Sequence, residues 1–292
     1  MRAGIVTVVG QPNVGKSTLL NRVVGEKLSI ISPKPQSTRD RIVGIRTTDD
    51  TQMVLLDTPG LLEPKYALQH VMRSTALRAL EDADVIVYLV DATLAPPPAL
   101  QEAAGLPTSP TAPVLLVLNK TDLLSTPQRE ALAAEYPDAI LIAAQTGDGV
   151  DRLLDAIARA LPESPFLYPE DDISTQSLRF FAAELVRETA LEQLDEEVPY
   201  SVACSIEEFR EDRSPVYIRA TIYVERDSQK RILIGERGAR IREIGRAARV
   251  KIERLVGGAV YLDLWVKVLA NWRRDVRALE RFGYRMPQEP AR

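Results

Sequence analysis

Cysteine and histidine each occur once in the 292 residues, as Cys204 and His70. One thiol excludes an internal disulfide framework and fits a reducing compartment. Two solitary residues, one of each kind, make neither a metal site nor a nucleophile–base pair. Aromatic side chains are only 5% of the chain, which argues against broad base stacking, and Trp265 and Trp272 are assigned to a domain core. No apolar run approaches the roughly 20 residues that a membrane span needs. The opening MRAGIVTVVG enters a strand-like run without the layout of a secretion leader. The expectation is a cytoplasmic chain of about two domains, with an ordinary globular composition of 45% hydrophobic and 27% charged residues.

The net charge of −4 gives no sign of a nucleic-acid partner, but its distribution does. Residues 1–177 carry 15 basic and 22 acidic side chains, and residues 178–292 carry 22 and 19. Within the second half, residues 226–256 hold 10 basic against 4 acidic. A local basic segment can track phosphates on an otherwise acidic chain, although a solvated helix face has the same composition.

Strand-like runs at 5–9, 42–47, 52–56, 85–90, 114–118 and 139–142 alternate with helical patterns at 17–25, 70–82, 97–104, 126–135 and 150–160. Several runs are continuous and rich in Val, Ile and Leu, as parallel strands covered on both faces require. The pattern predicts a doubly wound α/β domain over 1–162 with a mostly parallel six-stranded sheet. A Pro- and acid-rich stretch, 163–176, reads as a linker. Beyond it, a helix at 176–194, strands at 201–209 and 216–224, two helices meeting at 235–238, a strand at 259–268 and a helix at 272–282 predict an α+β domain over 177–285. Residues 286–292 form a tail.

Residues Gly10, Gln11, Pro12, Asn13, Val14, Gly15, Lys16 and Ser17, followed by Thr18, spell G-x-x-x-x-G-K-[ST] between a strand and a helix. Backbone amides of such a loop cradle a phosphate, the lysine reaches the β- and γ-phosphates and the serine hydroxyl binds Mg²⁺. Asp57, Thr58, Pro59 and Gly60 end a strand about 40 residues later, where P-loop proteins place a second metal carboxylate. Asn119, Lys120, Thr121 and Asp122 follow the buried strand 114–118. Guanine presents two adjacent donors to one carboxylate. Adenine does not, so Asp122 selects GTP over ATP by leaving the wrong base unpaired.

In the second half, Gly235, Glu236, Arg237 and Gly238 lie inside the basic segment, ahead of a helix bearing Arg240, Arg242, Arg246 and Arg249. Two glycines admit a sugar-phosphate backbone, and a helix N-terminus with cations suits its phosphates. A glycine turn between helices is also a common C-cap; the α-β-β-α-α-β order favours the RNA reading. Ile232, Leu233 and Ile234 line a groove for bases or belong to the core.

With these motifs in this order, the chain resembles the bacterial Era family of GTPases over nearly its full length. The resemblance implies a Ras-like GTPase domain joined to a type II KH domain. It makes Thr38, in the first switch at 35–40, the second Mg²⁺ ligand, with Asp57 acting through water. It places the guanine-contacting fifth motif at Ala143, Ala144 and Gln145, without the usual serine hydroxyl. It also implies GTP and GDP as ligands, a K⁺ site at Asn13, and small-subunit ribosomal RNA and the 30S subunit as partners rather than DNA, with a monomer as the default. Leu61 stands where a water-orienting glutamine would be, so no catalytic base is assigned and slow turnover is expected. The alternative is a membrane-associated regulatory GTPase without an RNA role, resting on the helix at 272–282 with Arg273, Arg274, Arg277 and Arg281.

Overall fold

The computed structural model describes residues 1–286 other than Pro35, Ala95 and Arg285; the tail at 286–292 lies outside the described residues except for Met286. The chain forms two compact units. One comprises Met1–Pro64 and Met72–Thr175, and the other Lys65–Val71 and the chain from Gln176 onward.

The first unit runs β1 (Arg2–Val9), α1 (Lys16–Val24), β2 (Ile42–Thr47), β3 (Thr51–Asp57), α2 (Ala67–Glu81), β4 (Val85–Asp91), α3 (Leu100–Ala104), β5 (Val114–Asn119), α4 (Thr126–Glu135), β6 (Ile140–Leu141) and α5 (Val150–Ala160). The first residues of α2 belong with the other unit. The sheet order is β2-β3-β1-β4-β5-β6. Only the β2–β3 pair is antiparallel. Strands β3 and β4 are buried along their whole length, which is why their sequences, TQMVLLD and VIVYLVD, lack alternation. In α1 the buried positions are Lys16, Leu19, Leu20 and Val23, the spacing of one helical face. The sixth strand is shorter than the expected 139–142, because only Ile140 and Leu141 pair with β5.

The segment read as a linker is an ordered strap on the first unit. The buried Gln52 accepts from the Leu167 and Tyr168 amides at 2.7 and 2.9 Å and donates to the Tyr168 carbonyl at 2.9 Å. Farther along, the Ile45 amide donates to the Ile173 carbonyl at 2.9 Å and Ser174 donates to the Val43 carbonyl at 2.6 Å. The strap thus covers β2, the edge of the sheet, whose unpaired amides would otherwise invite another chain. Its prolines make it a poor ladder strand, so side chains and isolated amides make the bonds.

The second unit continues with α6 (Leu178–Gln193), α7 (Val198–Ser201), β7 (Ala203–Arg210), β8 (Val216–Val224), α8 (Asp227–Ile234), α9 (Ala239–Val256), β9 (Val260–Val268) and α10 (Val276–Arg281). Its sheet is β7-β8-β9, with β7–β8 antiparallel and β8–β9 parallel. Ile218, Ala220, Ile222 and Val224 alternate inward from β8 to meet Ala182, Val186 and Ala190 of α6 and Ile244, Ala248 and Ile252 of α9. Periods of two and four residues therefore converge on one core. Leu233 is fully buried, whereas Ile232 is exposed. Trp272 is fully buried and donates to the Ser201 carbonyl. Trp265 is not a core residue: it sits on β9 with 53% of its surface exposed, because position 265 falls on the strand face that points away from the helices. The last helix is also shorter than expected, since residues 272–275 form a turn before Asp275 caps Ala278.

Gln52→Ala should lower stability by about 1–3 kcal/mol, because it removes a buried side chain that makes three hydrogen bonds to the strap. It should also speed proteolysis within 163–174 before the rest of the unit is cut. Thermal melts and limited proteolysis check both effects.

Candidate nucleotide site and nucleic-acid interface

Each phosphate and guanine motif lies at the carboxyl end of a strand of the first sheet, the ligand edge of doubly wound folds. Pairing of Val8 with Asp57 brings the end of β3 beside the loop that follows β1. There Ser17 Oγ donates to Asp57 Oδ2 at 2.7 Å, and Thr38 Oγ1 lies 3.0 Å from Ser17 Oγ and 3.5 Å from Asp57 Oδ2. Asp57 is fully buried, and its other oxygen, Oδ1, has no hydrogen-bond partner. Burial pushes this carboxyl above the usual range, opposed by Lys16 and by the hydroxyls of Ser17, Ser29 and Thr38. An orphaned buried carboxylate oxygen beside two hydroxyls is a donor set of hard oxygens suited to Mg²⁺.

Lys16 is buried and donates to the carbonyls of Gly10 and Gln11 at 3.1 and 2.9 Å. Burial lowers its pKa from 10.5 to about 8, with Asp57 pulling the other way. Pro12, Gly15, Lys16, Ser17, Thr38 and Gly60 share the wall of a pocket of about 400 Å³. Gly60 passes so close to the phosphate loop that a Cβ there would come within 2.7 Å of the Pro12 nitrogen. Asn13, at φ 63°, donates its side-chain amide to the Pro33 carbonyl at 2.9 Å. The Leu61 side chain turns into the core, while its amide holds the Gly10 carbonyl at 2.9 Å.

Asn119 ties three segments together. Its Nδ2 donates to the Val14 carbonyl at 2.8 Å and its Oδ1 accepts from the Ala144 amide at 2.9 Å. The Ala144 amide is therefore engaged with Asn119, where the sequence suggested a guanine contact. Thr121 donates to the Ile142 carbonyl, and Lys120, in a left-handed conformation, pairs with Asp91 at 2.6 Å. Asp122 is exposed beyond this knot. Two contributors escaped the sequence reading. Arg22 of α1 donates to the carbonyls of Ala144 and Gln145 at 2.7 and 2.6 Å, bracing the fifth motif where it lacks the serine hydroxyl. Asp91, which Thr93 also holds at 2.7 Å, anchors Lys120. Neither residue lies in a short motif, and Arg22 meets partners more than 120 positions away, so no local signal marks it.

In the second unit, α8 ends at Gly235 (φ 71°, ψ 177°), Arg237 is left-handed, and Gly238 (φ 78°) opens α9. A Cβ on Gly235 would lie 2.8 Å from that of Arg240, so the turn is closed to other residues. The first turn of α9 has no side-chain cap and no acidic residue, which leaves its amides to an anion. Arg237, Arg240, Arg242, Arg246 and Arg249 are all exposed around it. His70 is exposed on α2, and burial raises the pKa of the half-buried Cys204 thiol; neither takes part in a site.

A P-loop guanine-nucleotide domain followed by a KH domain is what the two sites and their sheets define. The family model described as 50S ribosome-binding GTPase matches residues 5–120, and the KH domain model matches residues 197–273. The chain is 45% identical to GTPase Era of Geobacter metallireducens, over 97% of this chain and 98% of that one. It is 42% identical to GTPase Era of Carboxydothermus hydrogenoformans, with the same coverage. Two solved structures resemble it at a TM-score of 0.90 and 41% identity. One is an Aquifex aeolicus Era variant bound to GDP and AlF4⁻, with 98% of this chain and all of that one aligned. The other is Era in complex with MgGDPNP and nucleotides 1506–1542 of 16S ribosomal RNA, with 98% and 99% aligned. The chain belongs to the GTPase Era family and is a GTPase.

Arg22→Ala should weaken guanine-nucleotide binding about tenfold, the loss of charge-assisted bonds to two carbonyls. The mechanism acts by loosening the loop at 143–145, so the nucleotide dissociation rate should rise while Mg²⁺ dependence stays unchanged. Stopped-flow release of a fluorescent GDP measures both.

Proposed function

We propose that this GTPase is a nucleotide-controlled RNA-binding switch that acts in the cytoplasm on small-subunit ribosomal RNA near its 3′ end and serves assembly of the 30S subunit. The observation that carries the ribosomal target is the full-length likeness to the solved Era complex with MgGDPNP and a 16S ribosomal RNA segment. The residues support the same reading independently, since one chain holds the cluster of Ser17 and Thr38 on the buried Asp57 and the open glycine turn at 235–238.

In this reading Ser17 and Thr38 hold Mg²⁺ directly and Asp57 holds it through water; the ion offsets charge on the β- and γ-phosphates. Lys16, released from the Gly10 and Gln11 carbonyls, donates to those phosphates, and the amides of 13–18 cradle them. The Gly60 amide reads the γ-phosphate from the far side of the pocket, next to Pro12. Asn119, Lys120 and Asp122 select guanine, with Thr121 fixing their turn and the loop at 143–145 closing over the base.

Leu61, standing where a water-orienting glutamine would be, is buried, and intrinsic turnover is slow. Asn13, whose Nδ2 is seated against the Pro33 carbonyl, would offer its Oδ1 to a K⁺ that supplies positive charge in place of an arginine finger. Gly235, Glu236, Arg237 and Gly238 clamp the RNA backbone, with Arg240 and Arg242 on its phosphates.

No observation favours the membrane alternative. The last helix is six residues long, Arg273 pairs with Glu225, Arg281 donates to Tyr223, and no helix of the described residues is long and apolar enough to cross a membrane.

Two measurements test the reading. A 3′-terminal 16S oligonucleotide should bind with an affinity that differs between GTP-analogue and GDP states, and Gly235→Asp with Gly238→Asp should abolish binding while leaving GTP affinity intact. Equal binding by that variant would reduce the glycine turn to a structural cap. Separately, replacing K⁺ by Na⁺ should slow GTP turnover, and Asn13→Ala should remove the difference between the two ions; a wild-type rate indifferent to the cation removes the K⁺ site.

A further inference from the structure

Helices α6 and α9 cover one face of the sheet of the second unit. On the opposite face, Tyr217, Arg219 and Thr221 of β8 stand in register with Tyr261, Asp263 and Trp265 of β9. At one end this face is closed, because Arg281 donates to the Tyr223 hydroxyl and the Phe282 ring meets the Tyr223 ring edge-on at 5.1 Å. At the other end it is open, with Tyr261 60% and Trp265 53% exposed. A chain with so few aromatic residues has placed two large rings on the same exposed face of one strand, on either side of Asp263, where core packing gives no reason for them.

The open end is built rather than incidental. Tyr217 stacks on Tyr261 with ring centres 5.8 Å apart and planes 11° from parallel. The guanidinium carbons of Arg213 and Arg219 lie 4.7 and 5.6 Å from the Tyr217 ring centre. Asp263 accepts from the Tyr217 hydroxyl and from Arg219, each at 3.0 Å. Tyr217 is thereby fixed as the floor, and Tyr261 and Trp265 are the rings that face solvent.

We infer that this sheet face is a second RNA surface, on which unpaired bases adjoining the nucleotides held at 235–238 stack on Tyr261 and Trp265. The inference rests on the RNA reading above. Flat exposed rings braced by guanidiniums accept the π-face of any base. The location also fits: β9 is the edge strand of the sheet, and α8 and α9, which bear the glycine turn, pack against it. An RNA strand leaving the turn reaches the rings by passing one strand edge. Tyr261 and Trp265 are four residues apart, about 13 Å at the rise of a strand, against roughly 3.4 Å between stacked bases. The rings therefore take separate bases of an extended strand. Glu208 pairs with Arg210, and Glu208 and Asp263 with Arg219, so the contribution is stacking rather than charge.

The tryptophans make the test direct, since Trp272 is fully buried and Trp265 is the one that a soluble quencher reaches. RNA carrying nucleotides 1506–1542 of 16S ribosomal RNA is titrated into the full chain. Binding is followed by anisotropy of a terminal dye, and Trp265 by emission and acrylamide quenching. Saturating RNA should quench Trp265 and shield it from acrylamide. Tyr261→Ala with Trp265→Ala should bind about tenfold more weakly, equally at about 50 and 200 mM salt, with an unchanged melt, while Trp265→Phe should keep its affinity. RNA that binds by anisotropy and leaves Trp265 untouched overturns the stacking surface but spares the RNA reading; RNA that does not bind overturns both. Quenching by anionic vesicles and not by RNA would assign this face to a membrane surface and equally overturn the inference.

Discussion

A buried carboxylate is the constraint around which the first unit is arranged. Asp57 lies at the end of a strand with no solvent contact, and a charge so placed is tolerable only where other groups or an ion answer it. Ser17 and Thr38 answer one oxygen. The other is left over, and Lys16, the nearest cation, is itself held below its ordinary pKa. The arrangement completes itself only with a divalent cation and phosphate. Strand order, the βα turn after β1 and the approach of Gly60 to Pro12 all serve to bring these groups within reach of one another.

The second unit meets a different requirement, a backbone that approaches a ligand rather than a side chain that binds one. Gly235 and Gly238 adopt conformations that other residues resist, and the helix that follows exposes its amides and five arginines. Here burial is avoided instead of exploited at the turn itself, while Leu233 before it and Ile244 after it reach into the core.

Most of this architecture is legible in the residues because it rests on local chemistry. The periodicity of 126–135, 150–160 and 216–224 matches the observed elements end to end, and the phosphate and guanine motifs announce themselves because each needs particular residues at fixed spacing. What the sequence hides is of two kinds. Long-range bonds, such as those of Arg22 to the loop at 144–145 or of Gln52 to the strap, have no local pattern. The other kind is the choice of strand face: Trp265 and Val266 are both apolar, and only the register against β8 decides which of them turns toward the helices. Proline content likewise suggested a linker at 163–176, although the Gln52 side chain of β3 and isolated bonds to the backbone of β2 hold such a segment without any ladder.

That strap sets an order of events during synthesis. The β2 edge is closed by residues 173 and 174, which leave the ribosome after every strand of the sheet has been made. The nascent first unit therefore carries an open edge until the start of the second unit follows it out, and a chain cut at residue 162 would keep that edge for good.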